Sequence, residues 1–350
     1  MTRRPSPLGG AAPGPDGAPG PAGPGGADGA VLAAALLEAG RGGKRFRPAL
    51  LARTHELLGG DPADPAVAMV AEAVELLHTA FVVHDDVIDG DDVRRGRPSV
   101  PGAFRTEATA LGARRADAAT YAVAGGVLVG DLALVGALRA VATAPAPPHV
   151  ARRLLDLVDH ALRISAAGEL ADVRFSMGVA EPSLAEALRM AEHKTAVYSF
   201  GLPLQAGAVL AGADDELVAG LGEVGRQLGL AYQLHDDLQG VFGDPARTGK
   251  SVLSDLREGK RTPLVVHARA TSAWPVLRRH LGDPELTAAG AARVRDALEA
   301  GGSRAYVEDL AAGYLAAATA EATDLGLPEL VGWLRTRLHA GGPHPVEGAA

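Results

Sequence analysis

Carboxylates recur in this chain in two short runs, each closing an apolar helical stretch. The first is His84-Asp85-Asp86-Val87-Ile88-Asp89, followed by Arg94-Arg95-Gly96-Arg97-Pro98. The second, about 150 residues later, is Gln233-Leu234-His235-Asp236-Asp237-Leu238-Gln239-Gly240. Residues four apart on a helix share a face, so Asp85 and Asp89 point the same way with Asp86 beside them. Burying three carboxylates on an apolar helix is costly unless cations neutralise them. Hard divalent ions with oxygen ligands are the natural partner, and Mg²⁺ commonly shares such carboxylates with substrate phosphates. Two such groups facing one cavity could hold several Mg²⁺ around a diphosphate.

Basic groups accompany both runs. Gly42-Gly43-Lys44-Arg45-Phe46-Arg47-Pro48 sets three cations where a helix begins, and glycines there let the backbone approach an anion. His78 precedes Asp85 by two helical turns and lies on the same face. The guanidinium groups of Arg94, Arg95 and Arg97 suit bidentate contact with phosphate, and equally suit pairing with Asp91 and Asp92. Downstream, Glu192-His193-Lys194-Thr195-Ala196 puts a lysine and a hydroxyl on a helix. Thr248-Gly249-Lys250-Ser251 and Asp255-Leu256-Arg257-Glu258-Gly259-Lys260 add lysines to a glycine-bearing loop. Taken singly, each run reads as well as a solvated charged segment. Thr248–Ser251 is not a nucleotide P-loop, because the preceding strand and first glycine are missing.

The elements that carry these residues are helical. The apolar share is 47% but aromatics are only 4%. The core must therefore be built of Ala, Leu and Val, and long Ala/Leu stretches without strand-like alternation predict an all-α protein. The expected helices run over 31–39, 48–58, 64–89, 103–120, 122–143, 148–177, 183–199, 201–211 and 214–242, with loops at 90–102 and 242–260 and weaker helices over 262–340. Residues 1–28 are Pro/Gly/Ala-rich and are expected to form a disordered leader, 29–340 a single helical domain and 341–350 a flexible tail. A net charge of −8 without a basic tail argues against nucleic acid. The lack of cysteine removes thiolate catalysis and Cys-ligated metals. No uninterrupted apolar run of spanning length and no secretory signal are evident, so a soluble cytoplasmic protein is expected.

In order, Gly43-Lys44-Arg45-x-Arg47-Pro48, His78, Asp85-Asp86-x-x-Asp89 with Arg94-Arg95-Gly96, Gly130-Asp131-Leu132, Lys194-Thr195, Gln233 with Asp236-Asp237, and Lys250 resemble the all-trans polyprenyl diphosphate synthases over roughly residues 40–265. The resemblance implies an isoprenoid-synthase-type helical bundle around a central cavity, usually a homodimer. It implies that Asp85, Asp86, Asp89 and Asp236 are ligands of Mg²⁺, about three ions per active site, with Asp237 beside them. Lys44, Arg47, His78 and Arg95 match positions that hold isopentenyl diphosphate. Arg94, Lys194, Thr195, Gln233 and Lys250 match positions on the allylic diphosphate, with Arg94 and Lys194 also aiding its departure.

One position departs from the family pattern: Gly240 stands where the second motif usually ends in aspartate. Asp244 in the following loop, or water, is the expected replacement. Bulk near the first motif sets product length in such enzymes. The small Ala80 and large Phe81 imply geranylgeranyl diphosphate, with farnesyl diphosphate next. Two rivals remain: a class I terpene cyclase, which needs no second diphosphate site, and a non-catalytic partner subunit, for which Gly240 is the only hint.

Overall fold

Apolar residues three and four apart fold most of the described residues into helices, as a computed structural model of residues 25–94, 96–243 and 254–340 describes. Its described residues divide into two compact units, Met1–Pro48 with Ala68–Ala151, and Ala49–Val67 with Arg152–Ala350. The chain therefore leaves the first unit and returns to it.

The first unit holds α1 (Gly26–Ala39), the start of α2 (Phe46–Leu57), most of α3 (Pro65–Asp89), α4 (Val100–Ala110) and α5 (Arg115–Ala142). Leu36, Ala80, Val83, Val100, Phe104, Val129 and Ala133 form its core. Helix α1 already begins at Gly26, inside the segment expected to be leader. The two tails otherwise lie outside the described residues. Gly42, Gly43 and Arg45 all take left-handed backbone angles, so the loop persists to Arg45 and α2 starts at Phe46. Pro48 sits in that first turn, where its missing N–H leaves no ladder bond broken.

The expected loop over 90–102 contains a small antiparallel hairpin, β1 (Val93–Arg94) and β2 (Arg97–Pro98), pairing Val93 with Pro98 and Arg94 with Arg97. Ser99 then caps α4, its Oγ accepting from the Gly102 N–H at 3.0 Å. The break expected near residue 121 instead falls at 111–114. There Gly112, at φ 84°, turns the chain, and the Ala113 N–H returns to the Ala108 carbonyl at 3.0 Å. That is a Gly-centred helix stop, and alanine-rich sequence carries α5 straight through 121.

The second unit contains the rest of α2, nearly all of α6 (Pro148–Ser176), α7 (Leu184–Ala191), a π-helix (Glu192–Gly201), α8 (Leu202–Leu210), α9 (Asp215–Phe242), α10 (Ser254–Glu258), α11 (Pro263–Ala268), α12 (Trp274–Leu277), α13 (Ala288–Ala300), α14 (Ser303–Asp324) and α15 (Glu329–Ala340). A Ser183–Glu186 capping box starts α7. Leu234, Leu238 and Val241 of α9 pack with Leu256, Leu264, Leu277 and Leu298. Each such leucine contributes roughly 1.5–3 kcal/mol, which holds α9 in one rotational setting.

Two helices, Pro65–Asp89 and Arg115–Ala142, are long and apolar enough to cross a membrane by length and composition alone, which qualifies the sequence expectation. The first is largely packed inside and carries five carboxylates, Glu72, Glu75, Asp85, Asp86 and Asp89.

Candidate diphosphate and metal site

A helix turns about 100° per residue, so His78, Asp85 and Asp89 fall within about 40° of one another on α3, with Phe81 alongside. Ala80 lies on the opposite side, fully buried against Val83, Val129 and Ala133. The structure thus separates the two residues expected to set product length: Phe81 shares the aspartate face, and Ala80 belongs to the core. Asp86 sits between these sectors and is 2% exposed.

The hairpin brings Arg94 onto the acidic end of α3. Its Nη2 donates to Asp85 Oδ2 at 2.8 Å and its Nε donates to Asp86 Oδ1. Burial pushes the Asp86 carboxyl up to about 6, outweighing the Arg94 guanidinium, which acts in the opposite direction. A carboxylate so placed gains from any further cation. Nearby, the His84 ring lies against Gly130, where a Cβ would come within 2.1 Å of Nε2, and that Nε2 is 3.5 Å from Asp131 Oδ1. The Gly130-Asp131 pair noted in the sequence thus seats His84.

Lys44 is exposed, while Arg47 and His78 are half-buried. The Arg47 guanidinium lies 4.5 Å from the centre of the Phe46 ring. Arg45 between them turns away, its Nη2 2.5 Å from Glu72 Oε1. Arg95, expected on isopentenyl diphosphate, lies outside the described residues.

In the second unit the π-helix carries Lys194 and Thr195, both half-buried. Such wide turns are rare and are frequent at functional sites. Gly168 of α6 permits the close approach, since a Cβ there would be 2.4 Å from the Lys194 nitrogen. Lys194 Nζ reaches back to Asp172 Oδ2 at 2.7 Å and to Glu169 at 3.0 Å. These two partners escaped the sequence reading; the signal was Gly168-Glu169-Leu170-Ala171-Asp172, two carboxylates three apart on a helix.

On α9, Gln233, Asp237 and Gly240 fall in one sector beside the Leu234–Leu238–Val241 stripe, with Asp236 farther round. Gly225 and Gly229 let this helix lie against the π-helix at Gly201 and Ala196. Asp237 is closest to the stripe and is 6% exposed. Its carboxyl is driven well above the usual range by burial, while the Gln233 amide, donating at 2.8 Å, works the other way. Gln233 thus donates to Asp237 in this structure. Lys250 and Asp244 lie outside the described residues.

Mg²⁺ suits these donors. They are hard carboxylate oxygens, and among the described residues no three His, Asp or Glu side chains close into a cage of their own. Mg²⁺ commonly takes one or two carboxylates and completes its shell with water and phosphate.

Comparison with known proteins places the chain. A geranylgeranyl diphosphate synthase of Mycobacterium tuberculosis is 37% identical over 230 residues, 66% of this chain and 59% of that one. A (2E,6E)-farnesyl diphosphate synthase of Mycobacterium bovis is 35% identical over 298 residues, 82% of this chain and 75% of its own. A short chain isoprenyl diphosphate synthase of Methanothermobacter thermautotrophicus is 35% identical, and the chain spans 63% of its length. Thus the chain spans under two thirds of several of the curated relatives it matches. Among solved structures, a geranylgeranyl pyrophosphate synthase of Corynebacterium glutamicum, complexed with isoprenyl diphosphate and magnesium, superposes with a TM-score of 0.82 at 29% identity, covering 91% of this chain and 92% of that one. The polyprenyl synthetase profile matches residues 30–297, so this all-α chain, with an aspartate group and a paired cation in each unit, belongs to the polyprenyl synthetase family.

Proposed function

We propose that the protein is a Mg²⁺-dependent prenyltransferase that joins isopentenyl diphosphate to an allylic diphosphate, yielding geranylgeranyl diphosphate. The observation that carries this reading is the pairing of carboxylates with a cation in each unit: Arg94 on Asp85 and Asp86, and Lys194 on Asp172 and Glu169. Such pairs keep charge ready in a partly buried place and can exchange partners when phosphate oxygens arrive.

Asp85, Asp86, Asp89 and Asp236 would hold Mg²⁺, which supplies Lewis-acid stabilisation of the departing diphosphate. Arg94, Lys194, Thr195, Gln233 and Lys250 would bind the allylic diphosphate, and Arg94 and Lys194 would offset the charge that builds as its C–O bond breaks. Lys44, Arg47, His78 and Arg95 would hold isopentenyl diphosphate so that its double bond attacks the allylic cation. A proton then leaves to the released diphosphate, so no protein nucleophile is needed. Phe81, on the aspartate face, would limit chain growth.

We infer a homodimer as the working form. Tyr121, Leu128, Leu132 and Val135 recur along one stripe of α5 and are 42%, 49%, 43% and 62% exposed. A second copy of the chain would cover this stripe, and a cytoplasmic location suits such an assembly. Leu128→Glu with Leu132→Glu should convert the dimer to monomer in light scattering.

The enzyme reading is tested by incubating the protein with Mg²⁺, isopentenyl diphosphate and dimethylallyl, geranyl or farnesyl diphosphate, followed by mass analysis. A linear product extended by isoprene units supports it. Hydrocarbon or alcohol formed without isopentenyl diphosphate would instead favour a cyclase, and no turnover with any starter a partner subunit.

A further inference from the structure

Among the described residues, Arg45 is the only one other than glycine in the left-handed backbone region, at φ 45°. An L side chain is disfavoured there, because its Cβ crowds the following carbonyl oxygen. Gly42 and Gly43 take φ 86° and 75° without that crowding, so a glycine at position 45 would have served the turn. What the arginine adds is its side chain. Its Nη2 donates to Glu72 Oε1 of α3 at 2.5 Å, and the Glu75 charge also acts on it. The two partners are 43% and 51% exposed, and such a pair contributes less to stability than a left-handed arginine costs. Stability therefore does not account for the residue.

Position does. Glu72, Glu75 and His78 stand three apart, so they climb α3 along one ridge, all within the first unit. That helix is fixed by Val70, Val74 and Leu77, which are fully packed. The ion pair ties the loop to this ridge just before Phe46, which is buried and has the Arg47 guanidinium 4.5 Å from its ring centre. Lys44 and Arg47 are thus set relative to His78 by the residue between them. We propose that Arg45 is a positioning residue: held left-handed by Glu72, it aims Lys44 and Arg47, with His78, at the isopentenyl diphosphate. This rests on the function proposed above and adds to it a pair, Arg45 with Glu72, that itself touches no substrate.

The test is calorimetry of isopentenyl diphosphate binding to the full chain, with steady-state kinetics and circular dichroism beside it. Arg45→Gly keeps the turn and removes the tie, so it should unfold no more readily than the parent. It should nevertheless bind isopentenyl diphosphate about tenfold more weakly, because its cations are no longer preorganised. KM for isopentenyl diphosphate should rise alike, while kcat and KM for the allylic diphosphate stay within about twofold. Glu72→Gln should move the same KM in the same direction. Arg45→Glu combined with Glu72→Arg restores the pair with its charges exchanged and should bind within a few-fold of the parent. Parental binding of isopentenyl diphosphate by Arg45→Gly and Glu72→Gln overturns the proposal, as does a loss spread evenly over both substrates. A parent protein that neither binds isopentenyl diphosphate nor elongates an allylic starter overturns the function proposed above, and this role with it.

Discussion

Arg94 is bound to Asp85: its Nη2 stands 2.8 Å from Oδ2, while its Nε donates to the more deeply buried Asp86. The hairpin that follows α3 exists, in effect, to return this guanidinium to the helix end. On the function proposed above, Mg²⁺ and Arg94 would compete for the same oxygens. Replacing Arg94 by Gln leaves Asp86 buried beside Asp85 without its cation. The variant should lose about 2–3 kcal/mol of stability without Mg²⁺. It should also bind Mg²⁺ alone more tightly than the parent, and turn over about 100-fold more slowly. Chemical denaturation with and without Mg²⁺, together with steady-state kinetics, checks all three.

Lys194 offers a cleaner separation of binding from chemistry. Its ammonium is held by Asp172 and Glu169, so removing it leaves both carboxylates without that partner, and Asp172 acts on the buried Asp237. Lys194→Gln should lower kcat by about 100-fold with a smaller change in KM for isopentenyl diphosphate. A raised KM for the allylic diphosphate with kcat unchanged would assign Lys194 to substrate binding alone.

Product length should respond to Phe81 and not in the same way to Ala80. Phe81→Ala removes bulk on the face shared with Asp85 and Asp89, and longer prenyl diphosphates should appear in the product mass spectrum. Ala80→Phe inserts a ring into a packed core and should cost about 1–3 kcal/mol of stability. Unchanged product from Phe81→Ala would remove that residue from the account of chain length.

The seat of His84 is equally specific. With a Cβ at position 130 only 2.1 Å from Nε2, Gly130→Val must push the ring away from Asp131. Loss of about 1–3 kcal/mol in denaturant melts is expected, with activity falling as the helix end bearing Asp85 shifts.

A pH effect arises away from the acidic groups. Burial holds the His267 imidazole below its ordinary range; its Nδ1 lies 3.1 Å from Ser303 Oγ, and its ring stacks on Tyr306 at 4.0 Å. A base depressed by folding contributes stability that is present above its unfolded-state value, about 6.5, and is lost as pH falls through the folded-state value. His267→Phe keeps a ring for the stack and removes the titration. Its melting temperature should fall less than that of the parent between about pH 7.5 and about pH 5.

The parts legible from sequence were those set by local periodicity and by charge on an apolar helix. Helices α3 and α9, with their aspartates, ended where expected because apolar spacing and carboxylate position agree along a single element. The break at Gly112 was missed because alanine-rich sequence supports a helix on either side, and only the left-handed turn decides where it stops. The partners of Lys194 were missed because Asp172 and Glu169 lie 22 and 25 residues away and meet it through the contact at Gly168.

The π-helix at Glu192–Gly201 also sets a rotational phase. Each wide turn takes up more residues than an α-turn, so this stretch twists the chain less than an ordinary helix of equal length would. Lys194 near its start and Pro203 of α8 beyond its end are thereby held at a fixed angular offset. Deleting a single residue between them would let the segment tighten toward an α-helix, whose larger rotation per residue takes up most of the turn lost with that residue. Substitutions there test side chains one at a time, whereas a one-residue deletion removes the wide turns while leaving the flanking stretches close to their phase.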